Sequence, residues 1–69
     1  MDEITVLRAQ SEPLIMKVAG DTYISTVLAF LNISLGPNEE MKVDGTKVTA
    51  NDIVEVGDTI VISVASKNA

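Results

Sequence analysis

Apolar and polar residues alternate at the start of the chain, over residues 3–9 and again over residues 14–18. A period of two is typical of a β-strand that buries one face. Pro13 interrupts the pattern between the two stretches, because proline lacks the N–H that a strand donates to its neighbour. The two stretches are therefore predicted to form an antiparallel hairpin.

The apolar period changes to that of a helix over residues 23–31. The apolar positions are Ile24, Val27, Leu28 and Leu31. Their spacing of i, i+3, i+4 and i+7 predicts one buried stripe on a helix. Residues 20–22 (GDT) are predicted to supply helix-capping oxygens, with Ser25 as the alternative cap. Asn32 suits the left-handed position after a helix, with Ile33 folding back behind it.

The third quarter of the chain predicts a short hairpin. Residues 41–43 and 46–48 are strand-like and flank Asp44 and Gly45, a pair favoured in two-residue type I′ turns. Residues 53–56 are predicted to form a short buried segment through Ile53, Val54 and Val56.

The longest β-branched run covers residues 59–65, which predicts a strand in the middle of the sheet. A helical stripe needs a sheet face against which to pack. The fold class is therefore α+β, with a mixed sheet of four to five strands and one helix packed across it. Residues 1–69 are expected to form a single domain.

Three segments resemble the β-grasp (ubiquitin-like) superfamily, nearest to the ThiS and MoaD sulfur-carrier proteins and with some likeness to TGS domains. Residues 43–48 (VDGTKV) resemble the family's VNG-x-x-V hairpin. Residues 53–62 (IVEVGDTIVI) resemble its L-x-x-GD-x-V-x-I entry to the last strand, and residues 27–33 resemble its LL-x-x-LG-L helix end. The resemblance implies a β-grasp fold over nearly the whole chain. It implies no single function, because many unrelated roles share this fold.

The sulfur carriers that the chain resembles act through a flexible tail ending in Gly-Gly, whose carboxylate becomes a thiocarboxylate. Here residues 65–69 read ASKNA. We therefore expect the carrier chemistry to be absent, although a sulfur-carrier or protein-modifier relative with a degenerate tail stays an alternative.

Composition removes several function classes. The chain has ten acidic and five basic residues and a net charge of −5, which disfavours nucleic acid and anionic membrane surfaces as partners. No apolar run approaches the roughly 20 residues that span a bilayer, and the acidic start of the chain predicts no signal peptide. The chain contains no cysteine, which fits a cytoplasmic protein.

Catalysis is not expected. The chain has neither His nor Cys to activate a nucleophile or hold a metal or other cofactor. The acidic pairs Glu39–Glu40 and Asp52–Glu55 are interpreted as solvated surface in loops. An acidic regulator or inhibitor of phage or mobile-element origin, binding a host protein through acids such as Glu39 and Glu40, is a further alternative.

The favoured hypothesis is a non-enzymatic module that binds a protein partner through the sheet face opposite the helix. Strand alternation places three apolar residues and two lysines on that face. These are Leu7, Ile15, Val61, Lys17 and Lys42. Ubiquitin-like proteins, which the chain resembles, meet partners through an apolar spot on this face. At least one of the two aromatic residues, Tyr23 and Phe30, is expected to pack in the core, with Phe30 at the edge of the helix.

Overall fold

The structure, a computed structural model, describes residues 2–64. Its elements are β1 (Glu3–Arg8), β2 (Leu14–Lys17), β3 (Thr22–Tyr23), α1 (Ile24–Phe30), β4 (Glu39–Val43), β5 (Thr46–Val48), β6 (Ile53–Val54) and β7 (Thr59–Val64). Five strands form one mixed sheet in the order β2-β1-β7-β4-β5, and β3 and β6 form a separate two-stranded ribbon. The predicted α+β class, with a mixed sheet and a helix, is confirmed.

Strand β7 lies at the centre of the five-stranded sheet, as predicted. It pairs in parallel with β1 on one side and antiparallel with β4 on the other. Its TIVISV sequence suits this position, because β-branched side chains pack well on a pleated surface with neighbours on both sides. Hairpins then extend the sheet outward, with β2 beyond β1 and β5 beyond β4.

The core lies between one face of the sheet and the inner sides of α1 and β6. Its buried residues are Ile4, Val6, Ile24, Val27, Met41, Val54, Ile60 and Ile62. All eight are aliphatic or methionine, so the packing needs no buried polar partner. The predicted stripe of α1 is confirmed, since Ile24 and Val27 are fully buried and Leu28 and Leu31 pack against the cluster.

The start of α1 differs from the prediction. Tyr23 is the N-cap and makes no side-chain cap hydrogen bond. The hydroxyl of Thr22 instead donates to the carbonyl of Gly20 (2.9 Å). Main-chain groups take over the capping role, because the N–H groups of Ile24 and Ser25 donate to the carbonyls of residues 52 and 50, at 2.9 and 3.0 Å. Neither residues 20–22 nor Ser25 caps the helix, because carbonyls from a later loop satisfy its first donors.

The end of α1 follows the prediction. Asn32 has φ 61°, the left-handed conformation expected there. Its N–H donates to the carbonyl of Ala29 (3.2 Å), and the N–H of Ile33 donates to that of Leu28 (2.8 Å). This pair of bonds is the Schellman motif. Ile33 packs against the core behind it, which fixes the direction in which the chain leaves the helix.

The two-stranded ribbon was not predicted. Thr22 pairs with Val54, and Tyr23 pairs with Ile53. Residues 53–56 were predicted to form a buried segment, but only Val54 is buried, whereas Ile53 and Val56 are exposed. The ribbon is too short for its alternation to stand out in the sequence, since each strand has two residues.

The Asp44–Gly45 turn is confirmed. Both residues have positive φ (55° and 80°), as a type I′ turn requires, and Val43 pairs with Thr46 across it. The helix α1 has seven residues. Within residues 2–64, no helix is long and apolar enough to cross a membrane.

Candidate protein-binding surface

Two apolar side chains meet at the centre of the uncovered sheet face. Leu7 on β1 and Val61 on β7 are partners in the parallel register, so their strands place them about 4.8 Å apart. They point away from the helix, because Val6, which precedes Leu7, and Ile60 and Ile62, which flank Val61, are buried core residues. Leu7 is 39% exposed and Val61 is 41% exposed. The sequence-based expectation for their orientation and exposure is met.

The other predicted residues surround this pair. Lys42 on β4 is the cross-strand partner of Val61. Ile15 on β2 lies opposite Thr5 and so is diagonal to Leu7, and it is 55% exposed. Lys17 lies at the margin, opposite Glu3. We define the open-face patch as Leu7, Ile15, Val61, Lys17 and Lys42. Whether it binds a protein stays a prediction.

The structure adds residues to this face that the prediction omitted. Lys47 on β5 pairs with Lys42, and Thr59 on β7 pairs with Thr5. A signal for Lys47 was present in the sequence, because a two-residue turn at Asp44–Gly45 fixes the pairing of residues 42 and 47. The cross-strand row of Leu7, Val61, Lys42 and Lys47 is therefore apolar on the β1–β7 side and cationic on the β4–β5 side.

Glu40 sits among these lysines. Its carboxylate oxygens lie 3.4 Å from the ammonium of Lys47 and 3.8 Å from that of Lys42. Both lysine side chains stay about half or more exposed, so these ion pairs contribute little to stability. They restrain the lysines beside Val61, and the cationic rim keeps an excess of positive charge.

Glu39 and Glu40 were interpreted as solvated acids in a loop, and this is wrong. They belong to β4, whose alternation sends them to opposite faces. Glu39 lies on the helix side, where it accepts hydrogen bonds from Arg8 Nη2 (2.7 Å) and Nε (3.3 Å) and from the N–H of Gly36 (2.7 Å). Arg8 Nη2 also donates to the carbonyl of Ser34 (2.9 Å). The pair ties the 34–36 loop to two strands.

This arrangement changes the acidity of Glu39. The hydrogen bonds from Arg8, and then the one from the Gly36 N–H, hold the pKa of the Glu39 carboxyl below its usual value of 4.5. Both favour the charged form of the carboxylate. The Glu39 carboxylate therefore acts as one partner of a structural ion pair with Arg8.

Asp52 and Asp58 close two turns in the same way. The carboxylate of Asp52 accepts the N–H of Thr49 (2.7 Å), while its own N–H donates to the carbonyl of Thr49 (3.0 Å). Asp58 makes the same two bonds with Glu55, at 2.8 and 3.0 Å. The Asp52–Glu55 pair is thus not one acidic cluster, because the Asp52 side chain turns back to Thr49.

Besides Ile53 and Val56, four further apolar residues were expected at or near the core but are exposed. Both aromatic residues are among them, Tyr23 at 55% and Phe30 at 68%. Leu14 and Val64 have the predicted helix-side orientation, since they pair with Val6 and Glu39, but they lie at the ends of their strands and stay exposed. The helix is too short to cover them.

A shallow groove of about 420 Å³ lies at the β4–β5 edge of the sheet. It is lined by Leu35, Pro37, Asn38, Glu39, Glu40, Met41, Lys47, Val48, Thr49 and Ala50. Among residues 2–64 no buried side-chain nitrogen or oxygen lacks a hydrogen-bond partner, so no unpaired group marks this groove as a ligand site. In the same part of the chain, no His, Cys, Asp or Glu side chains group in threes or more to hold a metal.

The tail residues 65–69, on which the sulfur-carrier comparison depends, lie outside the described residues, as does the predicted last position of β7. No protein-family model matches the sequence, and a search of curated proteins finds no match.

Proposed function

We propose that this domain is a cytoplasmic, non-enzymatic interaction module that binds a protein partner through the open-face patch. One observation carries the proposal: Leu7 and Val61 lie side by side on the two central strands of an uncovered sheet face, each about 40% exposed. Scattered surface aliphatics need no function, whereas an adjacent pair at the centre of an exposed sheet face supports a binding surface.

We further propose that the fold is a β-grasp of the ubiquitin-like kind. An opening hairpin, a helix across the sheet, and a last strand that lies centrally and parallel to the first support this. The resemblance of residues 43–48 and 53–62 to the family's hairpin and last-strand motifs supports it independently. Ubiquitin-like proteins use this face for partners, so the fold and the patch favour the same surface.

The apolar and cationic side chains of the patch indicate which kind of partner surface it would bind. The apolar pair would fill the dry centre of an interface, and the rim of Lys17 and Lys42 would face polar groups. A partner surface with a few aliphatic or aromatic side chains beside carboxylates fits this arrangement. Such charges steer encounter and exclude wrong partners more than they add affinity.

Affinity capture from the native host tests the proposal with two matched variants. Leu7→Asp places a charge in the patch, and Leu14→Asp places the same charge on the helix-side face of the neighbouring strand. The two leucines are 39% and 38% exposed, so the substitutions have comparable costs for folding. Circular dichroism and thermal unfolding establish that both variants fold.

We expect the wild type and Leu14→Asp to capture the same protein, quantified by mass spectrometry, and Leu7→Asp to retain less than about a tenth of it, as loss of a central hot spot produces. Undiminished capture by folded Leu7→Asp contradicts the proposal. If moderate salt abolishes capture by the wild type, and Leu7→Asp has no effect on capture, the results favour the acidic-surface alternative.

A further inference from the structure

A second apolar surface lies on the opposite side of the domain from the open-face patch. Tyr23 and Ile53 are cross-strand partners on the outer side of the β3–β6 ribbon, and both are more than half exposed. Phe30 is the last residue of α1, about 10 Å along the helix axis from the N-cap Tyr23, and it is exposed. We define these three residues as the aromatic flank. It holds both aromatic residues of the chain, the side-chain type most enriched in binding hot spots.

The rim of the aromatic flank is acidic. Asp21 and Glu55 are exposed and directly adjoin the paired ends of the two ribbon strands, next to Thr22 and Val54. Basic residues are absent from positions 18–41 and 48–64. The guanidinium of Arg8 reaches the helix side but is held by Glu39. The flank therefore combines apolar groups with carboxylates, the reverse of the lysine rim on the sheet face.

We propose that the partner of the open-face patch is the aromatic flank of a second copy of this chain, a step that rests on the proposed function of the patch. Charge decides among the ways in which two copies can meet. Patch against patch opposes two faces that each keep an excess of positive charge, since Lys17, Lys42 and Lys47 there outnumber Glu3 and Glu40. Flank against flank opposes two acidic rims. Flank against patch is the arrangement that joins surfaces of opposite charge around apolar centres.

Such a contact is heterologous, because it joins two different surfaces. The sheet separates the two surfaces, so each bound copy still presents one free patch and one free flank. The assembly therefore grows into a chain of copies or closes into a ring. Another protein that binds the patch would end this growth.

Two variants with defects on different surfaces test the contact. Phe30→Gln removes the larger exposed ring of the flank and keeps a good helix former. Val61→Asp blocks the patch, and Val61→Thr keeps the β-branched shape if the aspartate prevents folding. Leu14→Asp lies on neither surface and is the control. Sedimentation velocity follows each protein, and a one-to-one mixture of the two variants, up to about 1 mM at low salt.

We expect the wild type and Leu14→Asp to grow in size with concentration, and each blocked variant alone to stay monomeric, with association at least ten-fold weaker. The mixture should form a dimer that grows no further, because the intact patch of Phe30→Gln meets the intact flank of the Val61 variant. A wild type that stays monomeric to about 1 mM overturns the inference. A mixture that stays monomeric also overturns the inference. Self-association of Phe30→Gln alone overturns it as well, because it indicates patch-to-patch pairing.

These outcomes separate the inference from the proposed function. If the wild type is monomeric while Leu7→Asp still abolishes capture of another protein, the second-copy inference fails and the patch remains a binding surface. If Leu7→Asp captures normally, the proposed function fails as well.

Discussion

At the level of single residues, the neighbouring glutamates Glu39 and Glu40 of β4 have different roles, because their side chains lie on opposite faces of the sheet. Glu39 faces the helix side and holds Arg8 and the Gly36 N–H, whereas Glu40 faces the open side and restrains Lys42 and Lys47. Residue type alone does not separate these roles, because both are glutamates in an acidic chain. Strand alternation separates them, and it does so only once β4 is known to begin at Glu39.

The Arg8–Glu39 pair predicts a dependence of stability on pH. The pKa of Glu39 is lower in the folded state than its ordinary value of 4.5. The stabilisation is therefore fully present above about pH 4.5 and is lost as the pH falls through the lower, folded pKa. We expect Glu39→Gln to lower the urea midpoint at about pH 7, and the gap to the wild type to narrow as the pH falls below about 4.5.

The control for this prediction is Arg8→Gln, measured by the same urea titrations. With the guanidinium absent, Glu39→Gln should cost less at neutral pH, since the main cause of the lowered pKa is gone. A gap between Glu39→Gln and the wild type that stays constant down to about pH 3 contradicts the assigned role of the carboxylate.

At the level of elements, the ends of α1 are fixed by main-chain bonds to other parts of the chain. A helix of seven residues is too short to be stable alone. Its first N–H groups donate to carbonyls of the 50–52 loop, and its end is closed by the Schellman motif at Asn32. Packing of Ile24 and Val27 adds the remaining stabilisation, because both are fully buried.

The Schellman motif predicts that glycine and alanine at position 32 have opposite effects. Asn32 has φ 61°, a conformation that costs alanine about 1 kcal/mol or more, costs asparagine less because its short polar side chain can hydrogen-bond locally, and costs glycine almost nothing. We expect Asn32→Ala to lower the free energy of unfolding by about 1 kcal/mol in urea titrations and Asn32→Gly to match or exceed the wild type. Equal destabilisation by both would show that the Asn32 side chain itself, and not its backbone conformation, closes the helix.

The features that sequence reasoning identified are those encoded over a few residues. Asp44–Gly45, Asn32 and the alternation of β1 and β7 each carry their own local signal. The features it missed depend on contacts between distant positions. Arg8 and Glu39 lie 31 residues apart, and the carbonyls that cap α1 come from residues 52 and 50, later in the chain than the donors at 24 and 25 that they satisfy. Tyr23 and Phe30 were misjudged because a short helix leaves its outer side uncovered.

At the level of the whole molecule, a small aliphatic core is enclosed between two layers whose outer surfaces differ in charge. The open-face patch has a lysine rim, and the aromatic flank has a carboxylate rim. A chain of this size cannot bury all of its apolar residues in one core. Nine large apolar side chains among residues 2–64 remain exposed, and three of them share the open face. We propose that these three mark a protein-binding surface.

Site-specific photo-crosslinking in cells of the native host tests this claim most directly. A photo-reactive amino acid is placed at position 7 or, as the matched control, at position 14, two leucine sites of equal exposure on opposite faces of adjacent strands. We expect a discrete crosslinked protein, either another chain or a second copy, from position 7 and none from position 14. Crosslinks from position 14 with none from position 7 would contradict it.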